Sequence, residues 1–509
     1  MGGTELELKF DAELDAELPS FSDLASSAVR QVVLTSTYWD TADRRIMALG
    51  CSLRFRSASD GSERGWTLKV PAARSERGVV ARHEVTREGG PEQPPAELLA
   101  IVRTGLLGEA PSVAATITTH RTLIRLDRSG EEAPVELADD RVESEVGGAP
   151  GPSFREIEAE LVGAGTLTLL DEVGSRLGAA GFRPATVRSK VQRVLGKHPS
   201  LIEAPKRLRG AASVREFLVA TIGASTRQLL INDPRVRLGA DAEAVHQARV
   251  ATRRLRSDLK TFGPMLSGDA VDRMRDELAW LGELLGNVRD PQVLEQRLTA
   301  QAAVFDEVAG VDEDAIADLT DLLAERARFH HSQLVNAMDG DRYSALVADL
   351  LAMTNEPPVA SAKLASKTAA PIAEQLARKQ WKRAAKFAAG LGSSADDLQL
   401  HDLRKRLKRA RYAAQSVNGS GWATGTFDEN SPTSKIGSEI TTTSSCNVSS
   451  CRRASNGSLR TRPSSPVVCC RMPTIVVSRW SPSGPISPTA SNGSTSTEGA
   501  EGPQRPCAL

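Results

Sequence analysis

The sequence predicts a multidomain α+β protein in which a strand-rich N-terminal region precedes an all-α region and a tail without periodicity. Up to about residue 161, short stretches alternate charged and apolar side chains with the period of two that strands have. From 210 to 417 the period becomes helical and the composition rich in Ala, Leu, Arg, Asp and Glu. A chain of 509 residues is long enough for two or three domains.

The first predicted strand reads E-L-E-L-K-F at residues 5–10. Because side chains alternate across a strand, Glu5, Glu7 and Lys9 share one face, and apolar residues occupy the other. A half-exposed antiparallel sheet could present the same pattern, with its charged face in water. The alternation alone therefore leaves open whether this face is a surface or a site.

The later strands sort their charges by sign. The stretch 154–161 repeats the acidic alternation with Glu156, Glu158 and Glu160. The strand-like runs between the two acidic stretches instead carry basic side chains at alternating positions: Arg54, Arg56, Lys69, Arg82, Arg121 and Arg125. A solvated sheet has no reason to segregate charge in this way. The sorting favours a cavity that holds a metal among carboxylates and a polyanion among cations.

Residues 5 to about 195 resemble a CYTH domain, the family of triphosphate tunnel metalloenzymes. The resemblance is carried by motifs in a fixed order: the opening E-x-E-x-K, Tyr38-Trp39-Asp40-Thr41, Gly50 to Arg56, Trp66 to Lys69, Arg82 with Glu84, Arg121, an acidic turn Leu137-Ala138-Asp139-Asp140, the 154–161 strand and Ser189-Lys190. It implies an eight-stranded antiparallel barrel whose inward charged residues line a tunnel, with helices outside. A barrel of that size can hold one small ligand.

Triphosphate chemistry in such a tunnel assigns candidate roles to the charged residues. Arginine forks and lysine ammoniums bind phosphate oxygens, and a divalent ion that prefers carboxylate ligands neutralises charge and orients water. The candidate metal ligands for Mg²⁺ or Mn²⁺ are Glu5, Glu7, Asp139, Glu156, Glu158 and Glu160. The candidate triphosphate-binding residues are Lys9, Arg54, Arg56, Lys69, Arg82, Arg121, Arg125 and Lys190, and the candidate catalytic residues are Lys9, Glu5 and Glu7. Trp39, Trp66, Leu53 and Phe55 have the opposite parity and are predicted to pack.

The helical region contains an internal repeat. Residues 246–256 match residues 401–411, with His first and basic residues three, seven, eight and ten positions later. At 3.6 residues per turn, four of these positions in each copy form one stripe. The two stripes consist of His246, Arg249, Arg253 and Arg256, and of His401, Arg404, Lys408 and Arg411. A solvated basic helix face is the alternative for either copy, but two aligned copies favour a shared groove.

This region resembles a CHAD domain, which implies two helical bundles that bind polyphosphate. A segment typical of that family, L-G-E-L-L-G-N-V-R-D-P, occupies residues 281–291. Nucleic acid is the competing polyanion. Neither stripe contains the aromatic residues that stack on bases, so no nucleic-acid partner is expected.

Domain boundaries follow from these patterns: a tunnel domain over 1–197, a linker over 198–209, the helical domain over 210–417 with an incomplete second half, and a tail over 418–509. The tail is rich in Ser, Thr and Pro and holds five of the six cysteines. We interpret it as disordered or translated out of frame. Cys51 alone precedes it, and neither a signal peptide nor an apolar run of membrane length occurs, so a cytoplasmic protein without membrane contact is expected.

The expected function is metal-dependent hydrolysis of inorganic or organic triphosphate in the tunnel, with polyphosphate bound by the helical domain. Two alternatives remain. The chain could bind polyphosphate without turnover, or the tunnel could act on another substrate, as adenylate cyclases and thiamine triphosphatases of the same family do. Complete acidic rows favour catalysis, and the lack of an evident base-binding aromatic pocket favours inorganic triphosphate.

Overall fold

A computed structural model describes residues 4–26, 29–72, 80–127, 134–163, 167–186, 189–196, 200–202, 208, 211–239, 241–305, 313–391 and 395–419. The tail predicted over 418–509 lies almost wholly outside the described residues. Within them, no helix is both long and apolar enough to cross a membrane.

In the part of the N-terminal region that the structure describes, eleven strands form one antiparallel sheet. The strands are β1 (Thr4–Ala12), β2 (Ala25–Ser26), β3 (Arg30–Asp40), β4 (Ser52–Ala58), β5 (Arg64–Pro71), β6 (Val80–Arg87), β7 (Ser112–Asp127), β8 (Val135–Val146), β9 (Ala149–Pro150), β10 (Phe154–Leu161) and β11 (Arg183–Pro184). Eight of them pair in the order β7-β3-β4-β5-β6-β1-β10-β8, and β8 pairs with β7 again, so the sheet closes into a ring. The predicted count of eight covers this ring, and three two-residue strands extend the sheet beyond it.

Short helices pack against the ring. They are α1 (Arg45–Ala48), α2 (Ala96–Ile101), α3 (Arg103–Leu106), α4 (Thr168–Ala179) and α5 (Lys190–Leu195). Helix α4 packs Leu170 and Val173 onto the outward apolar residues of β8 and β10, including Leu137 and Ile157, all fully buried. The outer face of the ring therefore forms an apolar core, and the charged face is left to point inward.

The described part of the second region consists of helices and their connections, with two isolated β-bridges. Its helices are α6 (Val214–Leu238), α7 (Ala242–Phe262), α8 (Gly268–Phe305), α9 (Glu313–Asp339), α10 (Asp341–Asn355), α11 (Ala362–Ala365), α12 (Ala369–Ala389) and α13 (Asp397–Gly419), with a short 3₁₀ turn at Gly263–Met265. Packing joins α7 to α6, α8, α12 and α13. Helix α7, which carries the first basic stripe, thus lies at the centre of the region.

The sequence sets the ends of α6 and α7 by capping. Ser213 and Glu216 form a reciprocal capping box at the start of α6. Gly239 ends the helix in the left-handed conformation with φ 68°. A Cβ there would lie 2.8 Å from the His331 ring, so both the backbone conformation and the available space require glycine. Asp241 then caps α7 by accepting from the Ala244 N–H at 2.6 Å.

The two regions share one hydrophobic core. A single cluster of buried side chains contains Leu68 and Leu98 from the strand region together with Phe217 and Ile222 from α6. Helix α6 contacts α2, α3 and β5 directly. The strand region therefore packs on the helical region over a continuous apolar surface.

Candidate functional site

Four neighbouring strands bring acids and bases together inside the ring. The pairing of β1 with β10 sets Lys9 opposite Glu158, and the pairing of β10 with β8 sets Glu156 opposite Asp140. The pairing of β8 with β7 sets Asp140 opposite Arg121. Paired residues point to the same face of a sheet, so these side chains converge within the ring.

Three carboxylates form the centre of this site. Asp140, Glu156 and Glu158 each offer an oxygen, and these oxygens all lie within 4.8 Å of one another. All three side chains are buried, and Asp140 is completely inaccessible. Burying three like charges is costly unless cations neutralise them.

Three cations provide that neutralisation. Lys190, the first residue of α5, places Nζ 2.5 Å from Glu156, 2.7 Å from Glu158 and 2.9 Å from Asp140. Arg121 donates to both Asp140 oxygens at 2.7 and 2.6 Å and to Glu158 Oε2 at 2.6 Å. Lys9 Nζ contacts Glu158 Oε1 and lies 3.2 Å from Glu7 Oε2. Every member of the acid triad thus has a cationic partner.

The charges of the site shift its proton equilibria. Burial alone would raise the pKa of Glu158, but Lys190, Lys9 and Arg121 outweigh it and hold that pKa well below the usual range. Burial likewise opposes the charged form of Lys9, yet Glu158 and Glu7 raise its pKa. For Glu156, burial prevails over Lys190 and raises the pKa. Glu156 is therefore the carboxylate most ready to hold a proton.

The acid triad and Glu7 fit a divalent cation. Carboxylate oxygens are the ligands that Mg²⁺ and Mn²⁺ prefer. Among the residues that the structure describes, Glu7 Oε1 is buried without a hydrogen-bond partner, and such an oxygen lacks the stabilisation that a cation would supply. Asp140, Glu156, Glu158 and Glu7 are therefore the residues that could hold the metal.

A second pair of cations lies on β4, beside polar residues of β3. Arg54 donates to the Tyr38 hydroxyl at 3.5 Å, and Arg56 Nε donates to Ser36 Oγ at 3.0 Å. Burial and the nearby Arg54 lower the pKa of Arg56. Two buried guanidiniums that repel each other would gain from a shared anion.

Other predicted phosphate-binding residues lie nearer the rim of the ring. Lys69 on β5 pairs with Glu84 on β6 at 2.5 Å. Arg82 is half-buried beside Glu5 in the β1–β6 register, and Arg125 is exposed. The side chain of Glu5 lies outside the described residues, and Glu160 is half-buried opposite Glu7. The predicted packing residues Leu53, Phe55 and Trp66 are buried, with Trp39 packed against them.

The structure corrects one predicted metal ligand. Asp139 does not join the acid triad, because it lies on the outer face of the ring, where Arg155 donates to both its oxygens at 2.8 Å. The predicted acidic turn is in fact the middle of strand β8. Asp139 shares its parity with the outward apolar residues Val135 and Leu137, and that parity would have identified Asp140 as the inward acid.

The two basic stripes of the helical region meet where α7 and α13 pack. Arg253 Nε donates to the Tyr412 hydroxyl at 2.9 Å. Burial and the charges of Arg404, Arg253, Arg411 and Arg249 lower the pKa of Lys408 to about 8. We define the central basic cluster as six residues: Arg249, Arg253, Arg289, Arg404, Lys408 and Arg411.

Arg289 was not predicted as a member of this cluster. It lies on α8, and its charge, after burial, helps to lower the pKa of His246. Its Nε atom is buried without a hydrogen-bond partner among the described residues. The sequence contained a signal for this residue, because Arg289 lies in the L-G-N-V-R-D segment at residues 285–290. Arg249 Nη1 contacts Asp290 of that segment at 2.8 Å. Arg256 and His401 are exposed on the same two helices.

Comparison with known protein families follows the same division of the chain. A CYTH domain model matches residues 3–166, and a CHAD domain model matches residues 220–423. Among solved structures, PptA from Streptomyces chartreusis is 22% identical with a TM-score of 0.36, over 45% of this chain and 81% of its own. The CHAD domain from the plant Ricinus communis is 28% identical with a TM-score of 0.35, over 43% and 71%.

The chain also has full-length relatives among curated proteins. The uncharacterized protein Rv2226 of Mycobacterium tuberculosis strain H37Rv is 32% identical over 446 residues, which is 81% of this chain and 82% of the relative. The match covers both regions and their junction. The chain therefore belongs to the family of proteins that join a CYTH domain to a CHAD domain.

Proposed function

We propose that the ring hydrolyses inorganic or organic triphosphate with Mg²⁺ or Mn²⁺ and that the helical region binds inorganic polyphosphate. The observation that carries the first part is the burial of opposite charges within one ring: a carboxylate triad on β8 and β10 and a guanidinium pair on β4. Such an interior matches a metal–triphosphate complex in charge and in polarity.

Each group has a role in this proposal. A bound divalent cation supplies charge neutralisation at the phosphate oxygens and a site for the attacking water. Arg54, Arg56 and Arg121 bind the phosphate oxygens and keep the chain in line. Lys9, held between Glu7 and Glu158, contacts a phosphate or the water. Glu156 belongs to the carboxylate set that could hold the cation.

The polyphosphate-binding part rests on the central basic cluster. Six cations from α7, α8 and α13 converge there, and burial, followed by the repulsion of the neighbouring arginines, lowers the pKa of Lys408. A polyanion that carries one charge on each unit would relieve this repulsion and release counterions. The Tyr412 ring beside Arg253 is buried and therefore not available to stack on a base, which favours polyphosphate over nucleic acid as the partner.

The test is phosphate release from tripolyphosphate, ATP and long-chain polyphosphate, with and without Mg²⁺ or Mn²⁺. We expect metal-dependent release from tripolyphosphate, and a loss of about a hundredfold or more in Glu158→Gln and Glu7→Gln. Exposed Glu97→Gln serves as the matched control and should keep full activity. Tight polyphosphate binding without release from any substrate would instead support a module that binds and does not hydrolyse.

A further inference from the structure

A second group of cations lies on the side of α13 away from the central basic cluster. Its members are Lys260 on α7, Arg275 on α8, Arg383 on α12, and Arg406 and Arg409 on α13. We call these five residues the lateral basic cluster. On the surface of α13, Arg406 and Arg409 lie roughly 100° or more around the helix from Lys408. The two clusters therefore occupy different faces of the same helix.

Packing brings the five cations together. Helix α12 packs on α7 and α13, and the Arg406 guanidinium lies over the Phe387 ring of α12 at 4.3 Å from its centroid. The pKa of Lys260 is lowered most by the charge of Arg409, next by burial, and then by Arg275, Arg383 and Arg406. Burial and then Arg406 lower the pKa of Arg409. These effects require the cations of four helices to lie close to one another.

The acids nearby do not neutralise this cluster. Asp272 pairs with Arg275 at 2.8 Å, and Asp402 pairs with Arg406 at 2.8 Å. Among the described residues, two carboxylates form ion pairs with these five cations, and the remaining positive charges repel one another. A fold that needed only solubility could spread these charges. Their concentration favours an anion as the partner.

We propose that the lateral basic cluster is a second polyphosphate-binding site, which long chains reach after filling the central basic cluster. This inference rests on the polyphosphate binding proposed above. Lys260 continues the α7 stripe about 10 Å beyond Arg253, and the exposed Lys405 lies on α13 between the two faces. One polymer can therefore engage both clusters, and the second contact becomes intramolecular. The protein then selects for chain length.

The experiment compares the affinities of tripolyphosphate and long-chain polyphosphate in titrations of the full chain. Lys260→Ala/Arg383→Ala removes two exposed cations of the lateral cluster. We expect it to weaken long-chain binding about tenfold or more and to leave tripolyphosphate binding unchanged. The magnitude of the slope of log affinity against log salt should fall by about 1.5, since two cations are removed. Arg328→Ala/Lys363→Ala removes two exposed cations elsewhere and is the matched control.

Two further outcomes separate this inference from the function on which it rests. Arg253→Ala/Lys408→Ala removes two cations of the central basic cluster and should weaken binding of the long chain, whereas tripolyphosphate can still bind in the ring. If that variant binds normally, polyphosphate binding by this region is wrong. If the central variant binds the long chain weakly while Lys260→Ala/Arg383→Ala binds it with the affinity of its control, only the proposal of the lateral site is wrong. A lateral variant that loses single-stranded DNA binding but not polyphosphate binding would overturn the assignment of its ligand.

Discussion

Lys190 Nζ lies 2.5 Å from Glu156 Oε1, although the lysine begins a helix outside the strands and the glutamate lies in the middle of one. The ammonium also contacts Asp140 and Glu158, so one side chain pairs with all three carboxylates of the triad. A metal ion would seek the same oxygens. Lys190 is thus both a stabiliser of the ring and a competitor for its metal.

Replacing Lys190 should separate these two effects. Lys190→Met leaves the buried triad with less compensation, and we expect about 3 kcal/mol less stability without metal. Mg²⁺ or Mn²⁺ should then raise the melting temperature more in the variant than in the wild type. Thermal unfolding with and without metal measures both, and exposed Lys367→Met is the control. Equal metal-induced shifts in all three proteins would contradict competition at the triad.

Adjacent aspartates on β8 should differ in function. Asp140 points into the ring, whereas Asp139 binds Arg155 on the outer face. Asp140→Asn should abolish metal-dependent phosphate release. Asp139→Asn should lower stability by about 1–3 kcal/mol but keep the metal dependence. Activity assays at a temperature where both variants are folded make the comparison, and loss of activity in both would argue against this division.

Polyphosphate binding should depend on pH through Lys408. Its pKa of about 8 leaves it partly neutral in the free protein above that pH, and a bound polyanion would restore the charge. Affinity should therefore fall as pH rises above about 8, by up to about tenfold per pH unit, with uptake of a proton on binding. Titrations in buffers of different ionisation enthalpy detect that proton. Lys408→Met should bind more weakly and lose the proton uptake, unlike Lys363→Met.

A buried acid should limit stability near neutral pH. Asp258 accepts from Ser416 Oγ at 3.0 Å, and burial raises its pKa from 3.8 to about 7. Between these values the folded state holds a proton that the unfolded state lacks, so stability falls as pH rises. Asp258→Asn should therefore be the more stable protein at about pH 8, by up to about 4 kcal/mol. The difference should vanish near pH 4, where exposed Asp314→Asn also matches the wild type.

Much of the ring was predictable because a period of two determines which face each side chain occupies. The alternation directly predicts the inward positions of the acids on β1 and β10, of Lys9 on β1 and of the arginines on β4. The prediction for Asp139 was wrong because a turn was expected where β8 runs, and a turn does not alternate its side chains between two faces. The three contacts of Lys190 could not be predicted in this way, since they depend on how a separate helix enters the ring.

The helical region was predictable to a different degree. The repeat predicted two basic stripes facing a shared groove, and α7 and α13 do pack together with Lys408 near Arg253. The contributions of Arg289 and of the lateral cluster come from helices without that repeat. A stripe on one helix predicts a charged face, but the partners of that face depend on packing between distant segments.

The continuous core beneath α6 has a consequence for how the molecule unfolds. Leu68 and Leu98 are covered by the same apolar cluster that contains Phe217 and Ile222. Cutting the chain between the two regions would expose an apolar surface on each fragment. We therefore expect the ring and the helices to unfold as one cooperative unit, and an exchange of either region for a foreign domain would also require a new apolar interface.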